Sequence, residues 1–140
     1  MREALQSRSN PWLFPVPSYD DGLAFFRDVL GFGVLEDTPL APEKRWIVVA
    51  PSRGPGAALV LAVPSDDRQR DRVGDQTGGR VGFFLHSADF WADYENLRQR
   101  GVNFLETPRS EPYGLVVVFA DPWGGKWDLL QTISEASETR

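Results

Sequence analysis

A single histidine, His86, and the absence of cysteine narrow the chemistry open to this chain of 140 residues. Without cysteine there is no disulfide, no thiolate metal site and no thiol nucleophile. Any Ser–His–acid relay would have to use His86, and no Gly-x-Ser-x-Gly elbow occurs to support one. Gly54-Pro55-Gly56 and Gly78-Gly79 fit turns better than phosphate-cradling loops. Among the carboxylates, Asp128 stands out. It alternates with Trp127 and Leu129 along an apolar strand, which points it away from the core face, in company with Lys126 and Leu130.

Composition limits the partners. The net charge is −5, which disfavours nucleic acid and suits cationic small molecules. No apolar run approaches the roughly 20 residues that span a bilayer, and the first residues lack a signal-peptide core. A cytoplasmic protein with neither nucleic-acid nor membrane partners is expected. The length fits one domain that buries roughly 68% of its unfolded surface. Five Trp and nine Phe supply a core and leave a few aromatics to line a pocket.

These residues must be positioned by a pattern that occurs twice. A run from Ser18 through Asp20 and Asp21 to Gly31 opens a helix, stops it and starts a strand; a run from Ser87 to Gly101 repeats this 69 residues later. Each Ser is the expected N-cap, acidic residues follow in the first turn, and each Gly allows the positive φ that ends a helix. The first helix is predicted over about residues 20–30, with Leu23, Phe26 and Leu30 on one face. The second spans about 88–100, with Phe90, Tyr94 and Leu97 inward. Strands are predicted at 11–16, 32–36, 45–50, 57–63, 80–86, 102–105, 115–120 and 126–131. Pro11 and Pro15 put the first of these at an edge or a strand end. The 45–50 and 57–63 strands form a hairpin whose turn spans 51–56. Residues 64–79 are polar, end in Gly78-Gly79 and read as a solvated linker. The order is βαβββ, linker, βαβββ: two similar halves that enclose a cleft.

That order, with Phe25-Phe26-Arg27-Asp28-Val29-Leu30-Gly31-Phe32 in one half and Phe119-Ala120-Asp121-Pro122-Trp123-Gly124-Gly125-Lys126-Trp127-Asp128-Leu129-Leu130-Gln131 closing the other, resembles the vicinal oxygen chelate superfamily. Glyoxalase I, extradiol dioxygenases and bleomycin-resistance proteins belong to this group. The resemblance runs over about residues 10–132. It implies an α+β, glyoxalase-like fold in a single domain, 1–140, with βαβββ modules at about 10–63 and 80–132, a linker at 64–79, and curled sheets around a cleft. Catalytic members hold a divalent metal there. The corresponding positions here are Pro11, Val60, Gly82 and Asp128, of which only Asp128 carries a donor. A lone carboxylate cannot fix such an ion, since catalytic sites use about three protein ligands. No metal and no other cofactor is therefore expected.

The cleft candidates are Leu13, Val60, Phe84, His86 and Asp128. Pro11, Ala58 and Ala62 complete an apolar wall, and Tyr113 and Trp123 stand in loops near its rim as packing or lid residues. His86 has a plain reading, a local hydrogen bond at a strand end. It also has sharper ones: a weak two-ligand site or a general acid/base pair with Asp128, or a ligand contact. Asp128 is either satisfied by an Arg or Lys or anchors a cationic or hydroxyl-bearing ligand. Two functions follow. One is a small-molecule binder of the bleomycin-resistance type, a homodimer, sequestering a cationic or aromatic ligand in a metal-free cleft. The other is a glyoxalase- or dioxygenase-like enzyme, a lyase or oxygenase, working through His86 and Asp128.

Overall fold

The computed structural model describes residues 10–52 and 56–133. The chain ends expected to be loose, and the middle of the 51–56 turn, lie outside the described residues. The chain forms two compact units, residues 1–70 and 71–140, each an α+β arrangement built on one curled sheet.

In the first unit the sheet order is β1 (Trp12–Pro15), β4 (Leu59–Ala62), β3 (Lys44–Ala50), β2 (Gly33–Ala41). β1 runs parallel to β4, and the other pairs are antiparallel. β1 lies at the end of this order, as its prolines require. Its ends are tied by Trp12 N–H to Ala58 O and Val16 N–H to Ala62 O, each 2.9 Å. β2 extends well past the predicted 32–36. Beyond that predicted end, Asp37, Thr38 and Pro39 pair with Ile47, Trp46 and Arg45 in the outer arm of a hairpin.

The first helix starts as expected, with Ser18 Oγ accepting the Asp21 N–H at 3.0 Å. It then changes character. After α1 (Tyr19–Leu23), residues Ala24–Val29 are π-helical, and Leu30 N–H reaches Phe25 O at 2.9 Å. The expected face of Leu23, Phe26 and Leu30 assumed 3.6 residues per turn. The wider turn buries Phe25 beside Phe26 and leaves Leu30 half-buried. Phe26 stacks edge-on against Phe14 at 4.9 Å, which docks the helix on the sheet.

The polar stretch after β4 carries one short exposed helix, α2 (Asp67–Arg70). Its N-terminus is reciprocally capped: Asp66 Oδ1 accepts the Gln69 N–H and Gln69 Oε1 accepts the Ser65 N–H, both at 2.8 Å.

The second unit repeats the topology of the first. Its order is β5 (Val81–His86), β9 (Lys126–Thr132), β8 (Gly114–Ala120), β6 (Asn103–Phe104), with β7 (Arg109–Glu111) also on β8. β5 is parallel to β9 as β1 is to β4. β7 was not expected; it arises because the strand position filled by continuous β2 is here split, with Glu106 in the gap. The helix α3 (Phe90–Gln99) is capped by Asp89, not Ser87. Asp89 Oδ1 accepts the Ala92 N–H at 3.3 Å, while Ser87 Oγ accepts the Asp89 N–H at 3.0 Å and donates to Asp93 at 2.5 Å.

The buried Gln131 amide clamps this helix to β9, accepting from Phe90 N–H and donating to Ala88 O, both at 2.9 Å. Below the helix runs an aromatic row. Tyr94 meets Phe104 at 4.7 Å, Phe104 meets Phe119 at 5.9 Å, Phe119 meets Trp127 at 5.8 Å, and Trp127 meets Phe83 at 4.7 Å. No helix among the described residues is long and apolar enough to cross a membrane.

Candidate functional site

The aromatic row decides which way β9 faces. Trp127, Leu129 and Gln131 belong to the helix side, so Lys126, Asp128, Leu130 and Thr132 point to the other side. Phe83 stacks on Trp127, which sends Phe84 to the face of Asp128, directly beside it in register. Val118 flanks Asp128 from β8. The carboxylate therefore sits between two apolar neighbours, and Phe84 remains 61% exposed.

The polar surroundings of Asp128 leave one of its oxygens unsatisfied. Its Oδ1 is shielded from solvent and has no hydrogen-bond partner; the other such side-chain atom among the described residues is Gln76 Nε2. Burial raises the Asp128 carboxyl above its ordinary range; Arg109 opposes the shift and Glu106 adds to it. Arg109 is committed elsewhere. Its Nε donates to Glu106 and another guanidinium nitrogen to Glu111, both at 2.8 Å, and those two hydrogen bonds hold its pKa above the usual value. Glu106 also accepts the Val118 N–H at 3.1 Å. No Arg or Lys bonds Oδ1, although the charge of Arg109 acts on the carboxylate.

The other candidates fall into two groups. His86 is exposed and aligned with Leu130, two strand positions beyond Asp128 or about 7 Å along the sheet. It thus shares a face with Asp128 and Phe84. Leu13 and Val60 pair in register in the first unit; Leu13 is 65% exposed, and Val60 packs against buried Val48, Ala50 and Ala58. Sequence reasoning missed Trp46 on this same face. Its indole N–H donates to Glu36 at 2.9 Å and its ring is 37% exposed. The alternation of Trp46, Val48 and Ala50 was the available signal. Of the rim residues, Trp123 is half-buried with its N–H on Asp121, and Tyr113 is exposed with its carbonyl receiving Ile133 N–H.

The metal positions implied by the resemblance do not fit an ion. Pro11 and Val60 have no donor. Gly82 has neither a donor nor room for one, because a Cβ there would lie 2.6 Å from Thr77 Cγ2. No group of three or more His, Cys, Asp or Glu suited to a metal occurs among the described residues. The donor set is a single carboxylate.

Comparison with known proteins gives the same assignment. The sequence pattern of the Glyoxalase/Bleomycin resistance protein/Dioxygenase superfamily matches residues 8–129. A protein of Shewanella frigidimarina (strain NCIMB 400) is 44% identical over 117 residues, covering 83% of this chain and 87% of the relative. UcmS2 superposes with a TM-score of 0.73 at 33% identity, over 89% of this chain and 97% of that one. TnmS3, an antibiotic binding protein from Streptomyces sp. CB03234, does so with a TM-score of 0.63 at 31% identity, over 90% and 98%. By sequence pattern, topology and these relatives, the chain belongs to the Glyoxalase/Bleomycin resistance protein/Dioxygenase superfamily.

Proposed function

We propose that the protein binds a small organic molecule and sequesters it without a metal ion, as bleomycin-resistance proteins do. The observation that carries this reading is the shielded, unpartnered Asp128 Oδ1 on an apolar sheet face beside exposed Phe84. A buried acceptor without a donor costs about 1–3 kcal/mol, and a ligand that supplies the donor recovers it. The antibiotic-binding description of TnmS3, a relative at 31% identity, supports the same class of ligand. The ligand is flat or aromatic and carries a donor or positive charge. Its flat part buries against Phe84 at about 25 cal/mol per Å² before association costs, with His86 at the margin. In the first unit, Leu13, Val60 and Trp46 offer an apolar face to an aromatic group.

Asp128→Asn is expected to weaken a cationic aromatic such as 9-aminoacridine by about 10- to 100-fold, through loss of a charge-assisted hydrogen bond worth roughly 1.5–3 kcal/mol. Isothermal calorimetry measures this; equal affinities for wild type and variant would remove Asp128 from the site.

A homodimer is the expected assembly. β2 ends its sheet and shows Val34, Leu35 and Leu40 to solvent, an edge and apolar surface that a second copy would cover. Sedimentation at micromolar concentration is expected to give twice the chain mass of 15.7 kDa; a lone monomer peak refutes it.

A further inference from the structure

We propose that Gln76 is a second recognition group of this site, its side-chain N–H donating to an acceptor atom of the ligand; this rests on the small-molecule reading above. The two shielded side-chain atoms without partners, Gln76 Nε2 and Asp128 Oδ1, lie in the same compact unit and are opposite in kind, one a donor and one an acceptor. Folded proteins leave few such groups unmet, so an unmet pair of complementary polarity is a specification for what binds.

The segment that carries Gln76 is built to hold it still. On one side Gly74, at φ +75, packs so closely on the Trp123 carbonyl that a Cβ would overlap it. On the other, Thr77 Oγ1 donates to Arg80 O at 2.5 Å, and its methyl fills the space over Gly82. An ion pair between Arg72 and Asp75 at 3.1 Å closes the turn. Gln76 is therefore fixed between two docking points, the turn before β9 and the first residues of β5. Those are the strands that carry Asp128 and Phe84, and Val81 and Lys126 form their first pair. Asp128 is two residues further along β9, on the order of 7 Å. The ligand this describes has a donor or cationic group for Asp128 and a carbonyl-type acceptor for Gln76 on one flat frame.

The test compares two probes that differ by one acceptor-bearing substituent, 9-aminoacridine and 9-aminoacridine-4-carboxamide, titrated calorimetrically into wild type, Gln76→Leu and Asp128→Asn. The wild type is expected to prefer the carboxamide by about tenfold. Gln76→Leu is expected to lose that preference while still binding 9-aminoacridine, and its melting temperature is expected to be unchanged or higher, because it removes an unsatisfied buried donor. The Gln76 side-chain ¹⁵N–H₂ signals are expected to shift with the carboxamide and not with the parent acridine. Equal preference in Gln76→Leu, no preference in wild type, or a lower melting temperature that marks the amide as a structural tie would each overturn the assignment to Gln76 and leave the binding reading standing. Failure of both probes to bind wild type would overturn the binding reading for flat cations and this proposal with it.

Discussion

Replacing Asp121 with Ala is expected to cost about 3–5 kcal/mol of stability, a fall of roughly 10–20 °C in melting temperature. Three donors converge on this one buried carboxylate. Oδ1 accepts the Trp123 N–H at 3.0 Å and the Gly125 N–H at 2.9 Å, and Oδ2 accepts the Trp127 indole N–H at 3.1 Å. The Asp121 N–H closes the same turn on Gly125 O at 2.8 Å. Hydrogen bonds to a charged group are each worth about 1.5–3 kcal/mol, and three that share one carboxylate add to less than their sum. Ala would leave two backbone donors and an indole without an acceptor, at the turn that sets where β9 begins and hence which way Asp128 faces. Urea unfolding is the measurement: the midpoint should drop with an unchanged slope. A loss below about 1 kcal/mol would show that water replaces the carboxylate without penalty.

The same carboxylate gives stability a pH dependence whose sign can be worked out. Burial raises the Asp121 carboxyl above its ordinary 3.8, against the Trp127 and backbone hydrogen bonds that lower it, and burial raises Asp128 likewise. A raised carboxyl means that, between the ordinary and the raised value, the folded chain holds more protons than the unfolded one. The contribution of these groups to stability is therefore greatest below that window and falls as pH rises through it. Asp128→Asn should flatten its share of this slope in urea midpoints measured across the acid range.

Much of the scaffold was legible because it rests on short-range rules. Ser18 capping α1, Gly31 and Gly101 ending the two helices with φ 77 and 86, and the alternation that separates Trp127 from Asp128 are all decided within a few residues. The misses have longer-range causes. Phe25 is buried because a π-helical stretch widens the turn, which a period of 3.6 cannot show. Residues 37–41 form a strand because β3 lies alongside to pair with them, although Asp37 and Pro39 are poor strand formers. Asp89 takes the cap in place of Ser87 because the helix begins at Phe90, two residues beyond the predicted start, so that Ser87 Oγ meets the Asp89 N–H instead of a first-turn donor. In the site, Asp128 could be singled out from its strand, but the commitment of Arg109 to Glu106 and Glu111 depends on β7, which the sequence pattern did not reveal. The contribution of residues 72–79 was hidden for a similar reason. Their composition is that of a linker, and only their tertiary contacts show them docked.

Gly74→Ala is expected to undo that docking, at about 2–4 kcal/mol. Two effects act together. At φ +75 a side chain is strained, a cost of order 1 kcal/mol or more. The new Cβ would also overlap the backbone carbonyl of Trp123, which cannot rotate away as a flexible side chain would, and overpacking of this kind costs about 1–3 kcal/mol. The segment can escape only by lifting off the turn, so the cost is capped at that of undocking residues 72–79. Two measurements separate the outcomes. Urea unfolding reads the loss of global stability, and amide hydrogen exchange reads local opening, expected at residues 74–77 and at Gly82, whose close packing against Thr77 would be released. If the segment lifts, Gln76 is no longer fixed over the start of β5, and the preference for the carboxamide probe should disappear while 9-aminoacridine still binds through Asp128. A Gly74→Ala protein with wild-type stability and wild-type exchange would show that Gly74 and Trp123 are not in contact in solution, and that residues 72–79 are the solvated linker their composition suggests.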